Sequence, residues 1–74
     1  MNKVRRKKIK DAISKIEEQL ILLDLCLCEE ECAFDSLSEG LQQTGRGEEM
    51  EECIDLLNDN IDKIRDSLDE LKEI

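Results

Sequence analysis

The chain of 74 residues contains no histidine, proline, tryptophan or tyrosine, and Phe34 is its only aromatic residue. Without histidine there is no imidazole base and no His-bearing zinc site. One ring does not make a stacking platform for single-stranded nucleic acid. Glycine is confined to Gly40, Gly45 and Gly47, too few and wrongly placed for a phosphate-cradling loop. Long apolar runs are missing as well. The most apolar stretch, residues 20–28, is nine residues long with Asp24 inside it, against the about 20 apolar residues that a membrane-spanning helix needs. The basic start, Met1 to Lys8, leads into Ile9-Lys10-Asp11-Ala12-Ile13-Ser14-Lys15, which is not the apolar core of a secretory signal. The expectation is one small soluble domain, cytoplasmic, with its four cysteines reduced.

What the chain does have is charge and periodicity. Charged residues make up 42% and apolar residues 39%. One apolar repeat runs Ile9, Ile13, Ile16, Leu20, Leu23, Leu27, Glu30, Phe34, Leu37, alternating steps of four and three, with Glu30 its only polar member. A second runs Met50, Ile54, Leu57, Ile61, Ile64, Leu68, Leu71 with the same alternation. An average step of 3.5 residues is the seam of a left-handed coiled coil. All three glycines fall between the repeats, where they weaken a helix interior by about 1 kcal/mol each and let the chain turn. Thr44 is the best N-cap for the second helix, and Glu48, Glu49, Glu51 and Glu52 suit its positive end.

The sequence therefore predicts an all-α, antiparallel two-helix hairpin, coiled-coil-like, within a single domain spanning 1–74. The first helix covers about 4–37, the turn about 38–45 and the second helix about 46–73. Folded about residues 43–45, the partners sum to roughly 88, so Leu37 meets Met50, Phe34 meets Ile54, Leu27 meets Ile61 and Leu20 meets Leu68. Residues 1–13 are expected to overhang by about 20 Å, uncovered.

With Leu20 at heptad position a and Leu23 at d, the g positions are Ala12, Gln19, Cys26 and Ala33, then Cys53, Asn60 and Ser67 in the second helix. Most are small, and they are expected to widen the buried stripe. A further apolar stripe, Ile21, Leu25, Cys28 and Cys32 with Leu22 beside it, lies away from the seam. Two helices cannot cover both stripes, and an exposed apolar patch marks an interface. Self-association into a homodimer or higher helical bundle is the expectation, with Ile21, Leu22, Leu25, Cys28 and Cys32 as its interface.

Charge is unevenly spread. Residues 1–15 carry a net +6, with Lys3, Arg5, Arg6, Lys7, Lys8 and Lys10 as a basic arm, whereas residues 16–74 carry −15. The plain reading pairs the arm with Asp66, Asp69, Glu70 and Glu73 at the other end of the chain. The functional reading sets it on nucleic acid, against a net charge of −9 and the lack of a base-reading helix. In the second helix Glu48, Glu52, Asp55, Asp59, Asp62, Asp66, Asp69 and Glu73 fill every b and f position. Such a rail is ordinarily a solvated face. Two details point further: its single sign forgoes i,i+4 pairs, and five of its members are Asp where Glu is the better helix former. A rail of this kind suits a basic groove on another protein.

Metal and catalytic readings have little to stand on. On a helix Cys26 and Cys28 point about 200° apart, no CxxC pair exists, and Cys53 lies opposite residue 35, so four thiolates do not converge. No metal, cofactor or catalytic residue is assigned. The acids are plentiful, but a general acid needs a concave, desolvated site that a two-helix rod does not offer.

The segment Ala33-Phe34-Asp35, Glu39-Gly40-Leu41-Gln42, Arg46-Gly47-Glu48-Glu49-Met50-Glu51 and Ile54-Asp55 resembles a family of short helical proteins from phages and prophages of Firmicutes and from gut metagenomes. The resemblance covers about a third of the chain closely. It departs at Ser38, where that family often has proline, and at Cys53, where it often has alanine. It implies a small phage accessory protein in the bacterial host cytoplasm and brings no catalytic or ligand residues. Many such proteins block host defences, anti-CRISPRs among them. The functional expectation is a non-enzymatic, phage-derived interaction protein that inhibits a host defence factor through its acidic surface. Alternatives are an oligomeric nucleotide sponge, a nucleic-acid-associated protein using the basic arm, and a purely structural assembly.

Overall fold

The computed structural model describes residues 1–74, arranged as α1 (Lys3–Asp35), α2 (Glu39–Gln42) and α3 (Gly45–Leu71). The chain is all-α: α1 and α3 pack antiparallel as an extended hairpin 58 Å long and 15 by 13 Å across. Its radius of gyration is 17.2 Å, where a compact chain of this length would have about 11 Å. No helix is long and apolar enough to cross a membrane.

Local chemistry sets each helix end. Asn2 caps α1, its Oδ1 accepting from the Arg5 amide at 2.8 Å, so the helix starts slightly earlier than the apolar pattern indicates. Thr44 caps α3 as expected, accepting weakly from the Gly47 amide at 3.4 Å while its hydroxyl donates to the Leu41 carbonyl at 2.5 Å. The region read as a plain turn contains the short α2, capped by Ser38. Gln42, at the end of α2, donates through Nε2 to the carbonyls of Phe34 and Leu37 at 3.1 and 3.2 Å. It thereby ties α2 back to the end of α1, where the Phe34 carbonyl also accepts from the Leu37 amide at 3.0 Å.

The glycines turn the chain in a different way from that expected. None adopts positive φ. Gly40 and Gly45 have open space where a Cβ would stand, whereas Gly47 is buried and its Cβ would run into the backbone carbonyls of Gln42 and Leu41. Gly47 is there for close approach: it lets the first turn of α3 sit directly on α2.

The core is a single line. Ile13, Leu20, Leu27, Ile61 and Leu68 are 2–7% exposed, with Ile9, Ile54 and Leu57 packed against them. These residues occupy mainly the a positions of both helices. Four of the d positions fare differently: Ile16, Leu23, Ile64 and Leu71 are 37–44% exposed. The g residues Ala12, Gln19, Cys26, Ala33, Cys53, Asn60 and Ser67 are all exposed, so they do not widen the buried stripe. The helices are rolled so that the a line is central, one flank is closed and the d and g flank is open.

The uncovered N-terminal overhang is shorter than expected. Ile13 is buried and Ile9 half-buried, and Leu71, Lys72 and Ile74 line an open groove together with Arg6, Ile9 and Ile13 of α1. The Ile74 amide donates back to the Leu71 carbonyl at 3.2 Å, which continues the last turn beyond α3.

Candidate functional site

The hairpin presents five surface features, and none is an enclosed cavity. The closed flank is held by charges at e positions that the sequence reading overlooked. Arg65 donates to Asp24 at 2.6 Å and Lys72 to Glu17 at 3.0 Å. Both pairs join residues whose numbers sum to 89, within one of the 88 of the seam pairs, and that sum is the available signal.

The acidic rail of α3 is fully displayed. Glu48, Glu52, Asp55, Asp59, Asp62, Asp66, Asp69 and Glu73 are all exposed along roughly 38 Å of helix. The cations of the closed flank touch the rail at two points, Arg65 to Asp62 at 3.8 Å and Lys72 to Asp69 at 3.9 Å. From Glu48 to Asp59 no cation pairs with it.

The basic arm stands apart. Lys3, Arg5, Arg6, Lys7, Lys8 and Lys10 are exposed, and none forms an ion pair. The expected pairing with Asp66, Asp69, Glu70 and Glu73 is not made. The reason is geometric: Asp66, Asp69 and Glu73 lie on the outer face of α3, and the one residue of that end that bridges the helices is Lys72, which takes Glu17.

Ile21, Leu22, Leu25, Cys28 and Cys32 are all exposed in the single hairpin. Ile21 borders the closed flank, beside Glu17, Asp24, Arg65, Asp69 and Lys72. The middle of α1 is thus apolar around most of its circumference, a composition that belongs to buried helices. On the open flank a shallow groove is lined by Ile16, Ile64, Leu68 and Leu71, with Asn60, Lys63 and Ser67 along its edge. Cys26, Cys28, Cys32 and Cys53 are free and exposed, and no three His, Cys, Asp or Glu side chains are grouped to hold a metal ion.

The class defined by this geometry is an antiparallel helical hairpin with charged outer faces and uncovered apolar flanks. No family model, curated protein or solved structure matches the chain.

Proposed function

We propose that the protein works without catalysis, by binding another protein, and that the acidic face of α3 is its recognition surface. The observation that carries this reading is the rail itself. Eight carboxylates of one sign stand exposed on one face, and six of them, Glu48, Glu52, Asp55, Asp59, Asp66 and Glu73, have no cation paired to them. A basic groove of matching length is their natural complement, because opposed potentials speed encounter and fix register. The apolar stripe Ile21, Leu22, Leu25, Cys28 and Cys32 supplies the desolvated contact that charge alone does not give. The resemblance of the turn to small phage proteins sets the proposed partner in a bacterial host: a basic, nucleic-acid-binding defence factor whose groove the rail occupies.

The test is capture of the host partner on the tagged chain, followed by charge reversal. Asp59→Lys with Asp62→Lys and Asp66→Lys is expected to abolish binding, and rising salt to weaken it in the unmodified protein. Undiminished binding by a folded triple variant refutes the reading.

One observation favours a second reading, nucleic-acid association through the arm: its six cations are exposed and unpaired. Duplex affinity would then fall steeply with salt. No gel shift at low salt dismisses it.

A further inference from the structure

We propose that a second copy of this chain docks on the open flank, head to tail, so that two hairpins form an antiparallel four-helix bundle. The proposal is independent of the partner reading and uses a different face of α3.

Area gives the first argument. The single hairpin exposes 5976 Å², whereas a folded monomer of its 8.6 kDa mass exposes about 4,700 Å². The surplus is about 1,300 Å², more than the about 800 Å² that each partner buries in a standard protein–protein interface. A chain this size with five buried side chains lacks the means to stand alone.

The second argument is where that surplus lies. Ile16, Leu23, Ile64 and Leu71 line the open flank on both helices. The g positions bordering them hold Ala, Gln, Cys, Asn and Ser, with no charge at any of the seven, in a chain that is 42% charged. Solvated flanks of paired helices ordinarily carry charge at these positions, and the closed flank of this same hairpin does. Charge-free g positions on both helices are what a second helix pair requires, because each charge buried there would need a partner; Lys63, the one cation at the groove's edge, has a side chain long enough to carry its ammonium out to water.

Charge also selects the occupant and its direction. The turn end, residues 29–55, holds ten acidic residues against Arg46 alone, a net of −9. The opposite end, residues 1–15 with 66–74, carries a net of +3. The 58 Å rod is therefore a long dipole with its own complement at its far end. Parallel docking sets turn on turn, −9 against −9. Head-to-tail docking sets each turn beside the other copy's basic arm. It also explains Glu30, the one polar seam residue, which sits half-buried and unpaired on its own chain. With the two rods fully overlapped, Glu30 stands at the level of the other copy's Lys8–Lys15 segment.

Light scattering on the full chain in reducing buffer is expected to give twice 8.6 kDa, falling toward the single mass on dilution and in high salt. Leu23→Asp with Ile64→Asp is expected to halve the mass. Ile21→Asp with Leu25→Asp, on the outer stripe, is expected to leave it doubled, as is the rail variant of the partner test. A wild-type mass of 8.6 kDa, or a mass halved by the outer-stripe variant and not by the open-flank one, overturns the proposal. Direction is read on the unmodified protein, which removes any question of a variant's folding. Zero-length carbodiimide coupling of mixed isotopically light and heavy chains is expected to join Lys3–Lys10 of one copy to Glu29–Glu52 of the other. Interchain links confined to residues 66–74 overturn the head-to-tail order.

Discussion

On one flank of the α1–α3 seam, Glu17 and Asp24 reach across to Lys72 and Arg65; on the other, Gln19, Cys26, Asn60 and Ser67 reach no charge at all. Both flanks border the same two helices and the same apolar ladder. The first closes over Leu20 and Leu68, and the second leaves Leu23 and Ile64 more than a third exposed. The difference teaches that a strict heptad pattern does not fix which half of the seam is buried. The flanking side chains decide that, by whether they are long and oppositely charged or short and neutral. It also separates two kinds of apolar residue that look alike in sequence, those that hold the hairpin together and those left for something else.

The largest expected effect breaks the comparison at adjacent turns of α3. Ile61 is the most buried side chain, and Ile61→Ala is expected to cost about 2–5 kcal/mol. For so small a core that is enough to abolish the cooperative melting transition followed by circular dichroism. Ile64→Ala, one turn on, removes the same atoms from a side chain 37% exposed. At high dilution its cost is expected to be smaller, about 1–3 kcal/mol, scaled to the smaller area it hides. At concentrations where the second copy is bound, that cost should grow toward the Ile61 value. A cost for Ile64→Ala that is small and unchanged over a hundredfold range of concentration would leave the open flank a plain solvent face.

A middle-sized effect lies at the turn, where two glycines two residues apart are expected to respond with opposite signs. Gly47→Ala forces a methyl against the Gln42 and Leu41 carbonyls and is expected to destabilise by about 1–3 kcal/mol. Gly45→Ala meets open space in helical backbone and is expected to stabilise by about 0.4–1 kcal/mol. Thermal melts of the two variants measured side by side settle the pair. Equal shifts of one sign would mean that α2 does not press on α3.

Much of this architecture is legible in the residues. The step of 3.5 announces two helices, Thr44 announces the start of the second, and the position of the glycines announces the reversal. Other elements are not, for definite physical reasons. The short α2 is a single turn with no apolar period, so no pattern marks it. Gln42 is one of several neutral polar residues near the turn, and only the fold shows that its amide spans from α2 back to Phe34 and Leu37. The rail, the arm and the outer stripe were visible as patterns, and the structure displays all three on the surface. The roll of the helices was not, because it depends on cross-helix pairs such as Asp24–Arg65, which become visible once the register is known.

The smallest expected effect asks what closes the closed flank, charge or hydrocarbon. Arg65 and Asp24 are 47% and 40% exposed, so their pair lies in high dielectric and contributes under about 1 kcal/mol. The Arg65 stem, however, lies along the groove lined by Leu20 and Leu68 and can shield them while its guanidinium stays wet. Arg65→Met keeps most of the stem and loses the charge, whereas Arg65→Ala loses both. Methionine is expected to sit within about 0.5 kcal/mol of the native chain, and alanine to cost about 1 kcal/mol through lost cover. Melting the native chain at high dilution, where the hairpin is single, in 1 M salt with a screening length of about 3 Å should then shift its midpoint little. If methionine proves as costly as alanine and salt erodes stability in step, the flank is closed by charge. The contrast with the open flank is then electrostatic. If cover dominates, the contrast reduces to reach: Cys26 and Ser67 leave their flank open because their side chains are too short to span it.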